Sequence, residues 1–265
     1  MSSAVSPGPS TSEPLPVVIC DLDSTVLSVN SFRPWVRYLI FGHFGDLPVA
    51  ERLEIAISTI IVMIERKLMN KDHAVIKGKL QKLWRKAMAK DPAGLGHDWL
   101  LGDLAATVRP NLSALLSRAA SDSKQHVLLA TAAAGEYAEP LGQKIGFRHV
   151  LATPLLAGAD AAKLHNVGPV KRDRVLAFLQ EKGWDKLPRV FLTDHIEDLP
   201  LIEVCDKILW FGNETQRQLA QTKAPSKLFV SALTLETKEV LAEISTAAAL
   251  PPEPQPEGDE AAGVA

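Results

Sequence analysis

The sequence predicts an α/β fold: a doubly wound parallel sheet with an all-helical domain inserted after its first strand. Three observations carry this. Short apolar runs at about 16–21, 126–130, 148–152, 189–193 and 207–211 alternate with helical patterns, as in successive βαβ units. Three of these runs end in Asp21, Thr131 and Asp194. Ligands of such sheets bind outside the carboxyl ends of the strands, so these distant positions converge on one edge. The stretch from about 30 to 107 has almost no strand signal and reads as several helices.

Residues 1–14 are rich in Pro and Ser and are expected to be a mobile lead-in. They lack the basic segment followed by an apolar stretch that marks a secretory signal. The first strand, Val17–Cys20, ends in Asp21-Leu22-Asp23-Ser24-Thr25. Two carboxylates one residue apart repel. A divalent metal offsets that repulsion, and the pair sets a nucleophile beside a proton-transfer group. The alternative is an acidic turn in which Asp23 or Ser24 caps the next helix.

Helices follow over SFRPWVRYLIFG, from about Val49 to Met69, and from Lys71 to Lys90. Ser31, Arg33 and Arg37 come soon after the acidic turn, where they face the site or lie on a solvated helix face. The run Ile55–Ile64 is the most apolar part and is too short to span a bilayer. It reads first as a buried helix. Its second reading is an exposed patch for a lipid-like substrate, a membrane surface or a second subunit. Trp35, Trp84 and Trp99 are expected in the core of this helical region.

The strand Val127–Ala130 is closed by Thr131, with a helix from near Gly135. The hydroxyl either holds an anion at the helix N-terminus or simply caps the helix. Gly168 and Pro169 then break the chain before a helix whose first turn holds Lys171. A lysine there opposes the helix dipole unless its ammonium meets an anion. Lys163 is the weaker alternative. The strand Val190–Thr193 ends in Asp194, followed by Glu197, Asp198 and another helix. A short strand at Leu228–Val230 and a helix over Leu233–Ser245 complete the fold. The Pro- and Glu-rich tail from about Leu250 is expected to be disordered.

The implied organisation is a disordered 1–14, a core of 15–29 and 108–249, a helical domain of 30–107 and a disordered 250–265. The 265 residues are 46% hydrophobic and 23% charged, enough for a substantial core. Net charge is −2 with no basic block, so no nucleic-acid partner is expected. Cys20 and Cys205 read as packing residues in a reducing, cytoplasmic compartment, and no Cys/His array suggests zinc.

In order, Asp21-Leu22-Asp23-Ser24-Thr25, Thr131, Lys171 and Thr193-Asp194-His195-Ile196-Glu197-Asp198 resemble the four motifs of the haloacid dehalogenase superfamily of phosphotransferases. Asp23-Ser24-Thr25 is similar to the phosphoserine phosphatase branch. The resemblance spans roughly residues 16–230. It implies a Rossmann-like core and a helical cap that closes over the site and excludes water. It implies Asp21 as nucleophile, Asp23 as acid and base, and Thr131 and Lys171 as phosphate-binding groups. Mg²⁺ would be held by Asp21, the Asp23 carbonyl and Asp194, with Asp198 orienting Lys171 or a metal-bound water.

The implied activity is Mg²⁺-dependent hydrolysis of a phosphomonoester through an aspartyl-phosphate. The substrate would be a small phosphorylated metabolite or lipid head group, with peripheral membrane contact open and no transmembrane segment. Transfer to an acceptor other than water and a non-catalytic binding role are the alternatives.

Two departures stand out. The family pattern has Gly-Asp followed by a small residue, whereas this chain has Thr193-Asp194-His195. His195 would be a substrate contact, an outer group of the metal site or a bystander. Phosphoserine phosphatases also carry a Glu that reads the substrate ammonium. The matching position is Asn30, and no acid lies between Leu27 and Leu39. Arg33 and Arg37 in that window favour an anionic or neutral group, so phosphoserine is expected to be a poor substrate.

Overall fold

The structure is a computed structural model and describes residues 15–42, 44, 47–69, 72–91, 94–156 and 161–247. The expected lead-in at 1–14 and the tail at 250–265 lie outside the described residues.

Six strands form one parallel sheet: β1 (Val17–Cys20), β2 (His126–Ala134), β3 (His149–Thr153), β4 (Arg189–Thr193), β5 (Lys207–Trp210) and β6 (Leu228–Ser231). Their order is β3-β2-β1-β4-β5-β6. The central β1 pairs with β2, Cys20 opposite Leu129, and with β4, Cys20 opposite Leu192. The chain therefore runs outward in one direction through β2 and β3, then in the other through β4 to β6. The crevice at this reversal, beyond the carboxyl end of β1, is where such sheets bind ligands.

Side chains alternate between the two faces of the sheet. Val18, Cys20, Leu129, Leu192 and Leu209 enter one core cluster, which α5 (Ser113–Ser121), α6 (Gly135–Lys144) and α11 (Thr237–Thr246) help to form. Val17, Ile19, Leu128, Phe191, Ile208 and Trp210 enter the other, with α8 (Gly168–Lys182), α9 (Leu199–Ile202) and α10 (Glu214–Lys223). Because both faces are covered, the strands are apolar at nearly every position rather than at every second one.

Among the described residues, four helices stand between β1 and α5: α1 (Phe32–Phe41), α2 (Val49–Met69), α3 (His73–Met88) and α4 (Leu95–Ala105). Trp35 and Trp84 are fully buried among them, and Trp35 stacks 5.2 Å from Tyr137 of α6, joining these helices to the core. Trp99 differs from expectation. It covers Tyr38 with one ring face, at 5.3 Å between centroids, and is 58% exposed.

The run Ile55–Ile64 also departs from its first reading as a buried helix. Ile55, Thr59 and Val62 are buried, while Ile57, Ile60, Ile61 and Ile64 are exposed. The reason is position: α2 packs against α1 and α3, and its opposite face meets no described residue that buries it. Two further boundaries moved. β2 continues past Thr131 to Ala134, with an irregular register beyond Ala130. The last helix starts at Thr237 rather than Leu233, because Glu236 and Glu239 form a reciprocal cap at its N-terminus.

Candidate active site

The sheet edge gathers the expected residues. The Asp21 N–H donates to the Leu192 carbonyl at 2.9 Å, so the end of β1 is tied to the end of β4 two residues before Asp194. Lys171 lies in the first turn of α8 and is buried. Its ammonium donates to Asp21 Oδ1 at 2.7 Å and to Asp198 Oδ1 at 2.8 Å. Asp198 is buried too, and its Oδ2 accepts from the Thr193 hydroxyl at 2.6 Å. The departure from Gly at Thr193 thus has a structural use: the hydroxyl fixes the carboxylate that fixes the lysine.

After Asp21 the chain makes one tight turn over Leu22–Val26, with Ser24 in the left-handed region at φ 57°. Arg109, on the strand of chain returning from the inserted helices, clamps this turn. Its guanidinium donates to the Thr25 carbonyl at 3.0 Å and the Ser24 carbonyl at 2.9 Å. Asp23 is held by the Ser31 N–H at 2.7 Å, and the Ser31 hydroxyl is 2.8 Å from the Tyr137 hydroxyl. Thr25 reaches across to Asp194, its hydroxyl donating to Oδ1 at 3.3 Å.

Thr131 is buried on β2, beside β1, and its Oγ1 accepts from the Ala133 N–H at 3.0 Å. The hydroxyl proton is left to donate elsewhere. His195 is more prosaic. Its Nδ1 accepts from the Glu197 N–H at 3.2 Å, capping a turn. Lys163 is exposed on α7 (Ala161–Leu164).

Burial dominates the electrostatics. Asp21 is pushed up to about 8, chiefly by desolvation; Lys171 pulls it down, while Asp198 and Asp23 add to the rise. Asp23 and Asp194 are raised as well, first by burial. For Asp194 the Asp198 charge adds to the rise. Burial disfavours the Lys171 ammonium, but Asp198 and Asp21 together more than reverse this and hold it charged. The part of the rise at Asp21 that comes from the Asp198 and Asp23 charges marks a crowding of acids that a further positive charge would relieve.

That donor set suits a hard cation. Asp21 Oδ2 has no hydrogen-bond partner among the described residues, and Asp194 stands at the adjacent strand end. No group of three or more His, Cys, Asp or Glu side chains with metal-binding geometry occurs among the described residues. A set of two carboxylates and the Asp23 backbone carbonyl, with water completing the shell, contains only two such side chains.

A cavity of about 1100 Å³ opens beside Asp23. Arg33, Arg37, Arg66 and Lys77 give it positive charge, and Phe32, Ile40, Phe41 and Met63 give it apolar wall. Asn30 lines it as well, but its Oδ1 is engaged by the Phe32 N–H at 3.1 Å, and Glu197 is the one lining acid besides Asp23 among the described residues.

Lys77 was not foreseen. It reaches from α3 to the Ala132 carbonyl and lies 2.8 Å from His165 Nε2. Burial brings it down to about 8, against the pull of Asp23. Its signal in the sequence was a lysine on the same helical stripe as Ala74, Leu80, Gln81 and Trp84, all buried. Arg109 and Tyr137 carried no such signal.

A family model described as haloacid dehalogenase-like hydrolase matches residues 18–203. The chain belongs to that family. Its haloacid dehalogenase-like fold is also seen in solved structures at low identity. A protein with unknown function from Bordetella pertussis Tohama I aligns with TM-score 0.62 and 17% identity, over 82% of this chain and 98% of that one. A substrate-bound phosphoserine phosphatase complex aligns with TM-score 0.52 and 9% identity, over 86% and 97%. Cytosolic 5'-nucleotidase IIIB bound to cytidine aligns with TM-score 0.52 and 12% identity, over 89% and 86%. No curated protein matches the sequence.

Proposed function

We propose that this haloacid dehalogenase-like hydrolase is a Mg²⁺-dependent phosphomonoesterase working through an aspartyl-phosphate on Asp21. The observation that carries the reading is the buried Lys171 bridging Asp21 and Asp198 beneath an anion-rich crevice. A carboxylate held by a buried ammonium at a strand end is oriented for attack, and the ammonium offsets part of the rise that burial imposes on it.

In the proposed sequence an Asp21 oxygen attacks phosphorus while the ester P–O bond breaks. Asp23, raised by burial, carries the proton that the leaving oxygen takes. The same carboxylate then removes a proton from the incoming water, whose oxygen bonds to phosphorus as the bond to Asp21 breaks. Thr131 and Lys171 hold phosphoryl oxygens throughout. Mg²⁺ bound by Asp21, the Asp23 carbonyl and Asp194 would supply charge to those oxygens. Lys77, held by the Ala132 carbonyl, lines the cavity beside Asp23 and adds positive charge there.

The cationic, partly apolar cavity favours a phosphorylated metabolite or lipid head group without a free amine near the phosphate. The deciding experiment is phosphate release from sugar phosphates, nucleotides, alkyl phosphates, phospholipid head groups and phosphoserine, with Mg²⁺ or a chelator. Activity is expected only with Mg²⁺, with phosphoserine among the poorest substrates, and Asp21→Asn is expected to be inactive. Turnover retained by a clean Asp21→Asn preparation would remove Asp21 from the nucleophile role. Product that appears on an added alcohol in place of free phosphate would favour phosphotransfer.

A further inference from the structure

The outer face of α2 is apolar and uncovered. Leu53, Ile57, Ile60, Ile61, Ile64 and Leu68 are all exposed, from 43% at Ile60 to 77% at Leu68. At about 100° per residue they fall on one stripe covering roughly a third of the helix. Scattered exposed apolar residues need no explanation, but six on one stripe form a contiguous patch of the kind that marks a binding surface.

The charges around the stripe identify its partner. α3 borders it with Lys79, Lys82 and Lys86, and α3 carries no acid. The acids of α2 beside it are already matched: Glu54 with Lys86 at 2.6 Å, and Glu65 with Lys79. Arg33, Arg37, Arg66, Lys67 and Lys82 have no acidic partner among the described residues. This excess is local, since the whole chain carries −2. A second copy docked on the same face would bring two sets of unmatched cations together. An anionic bilayer surface accepts both features, the apolar stripe among the acyl chains and the cations among the head groups.

We propose that α2, with the cations of α1 and α3 beside it, docks this protein on anionic membrane surfaces. No described helix is long and apolar enough to cross a membrane, so the contact is peripheral. The docking face adjoins the catalytic cavity. Ile40, Met63 and Arg66 line that cavity and also the shallow groove that holds Ile60 and Ile64. Docking therefore brings the cavity edge to the membrane interface. The inference goes beyond the phosphatase reading and does not rest on it.

Vesicle co-sedimentation of the full chain tests it without turnover. Binding is expected to phosphatidylcholine vesicles containing about 30% phosphatidylglycerol, weakly or not at all to phosphatidylcholine alone, and to fall with added salt. Ile57→Glu combined with Ile61→Glu should reduce partitioning about tenfold or more. Lys67→Glu combined with Lys82→Glu should reduce it too and leaves the apolar stripe intact, so it stands should the first variant fold poorly. Circular dichroism and the oligomeric state are read for each. Equal binding to both vesicles, or no binding to either, overturns the proposal. So does a dimer that fails to bind vesicles and is split by the isoleucine substitutions, which would give the stripe to a second copy.

Discussion

Thr193 shows how a single side chain can carry part of a site. Its hydroxyl is buried and gives its proton to Asp198, whose other oxygen accepts from Lys171. Replacing it with valine keeps the shape but strands a carboxylate oxygen in the interior, which costs about 1–3 kcal/mol. Thr193→Val should lose about that much in denaturant unfolding, whereas Thr193→Ser, which keeps the donor, should stay near the wild type. Equal losses in both variants would mean that the methyl group, not the hydrogen bond, matters. The sequence marked Thr193 only as a departure from a pattern. Its use became visible when Asp198, five residues on, was seen folded back onto it.

At the scale of elements, the site is made by strand ends, and Gly212 shows how closely they are spaced. It follows β5, and a methyl group built on it would lie 2.1 Å from the Asp194 carbonyl oxygen. No flexible tip can give way there, because the obstacle is backbone. Gly212→Ala should therefore displace Asp194, costing about 1–3 kcal/mol of stability as overpacking does. It should also raise the Mg²⁺ concentration needed for activity, read from a melting curve and a metal titration. An unchanged metal requirement would detach Asp194 from the metal. Strand ends and helix starts were the legible elements, because the change from an apolar run to a polar residue is a local event. Asp21, Asp194 and Lys171 were read that way. Lys77, Tyr137 and Arg109 were not, since each acts through contacts between segments far apart in the chain. The periodicity of α2 likewise gave a helix without saying whether anything would cover its outer face.

Across the whole molecule, folding buries the carboxylates that the sheet collects, and this makes global stability depend on pH. Asp21 has an ordinary value of 3.8 and is raised to about 8, mainly by burial. Below about pH 4 it is protonated in both folded and unfolded chains and contributes no penalty. Between about 4 and 8 the unfolded chain ionises while the folded one keeps its proton. The folded state then binds more protons, and stability falls as pH rises. Above about 8 the penalty is complete. Asp21→Asn removes this dependence along with the nucleophile. In chelator, the melting temperature of Asp21→Asn should exceed that of the wild type by more at pH 8 than at pH 5. Added Mg²⁺ should narrow the gap by stabilising the wild-type carboxylates. A gain of equal size at both pH values would show that the protonation state of Asp21 does not change between pH 5 and 8, and a loss at both would show that Lys171 outweighs its burial and keeps it ionised. In that last case the crevice would be more negative before any metal arrives, so the cation site would keep its electrostatic basis and only the pH window of Asp21 would be overturned.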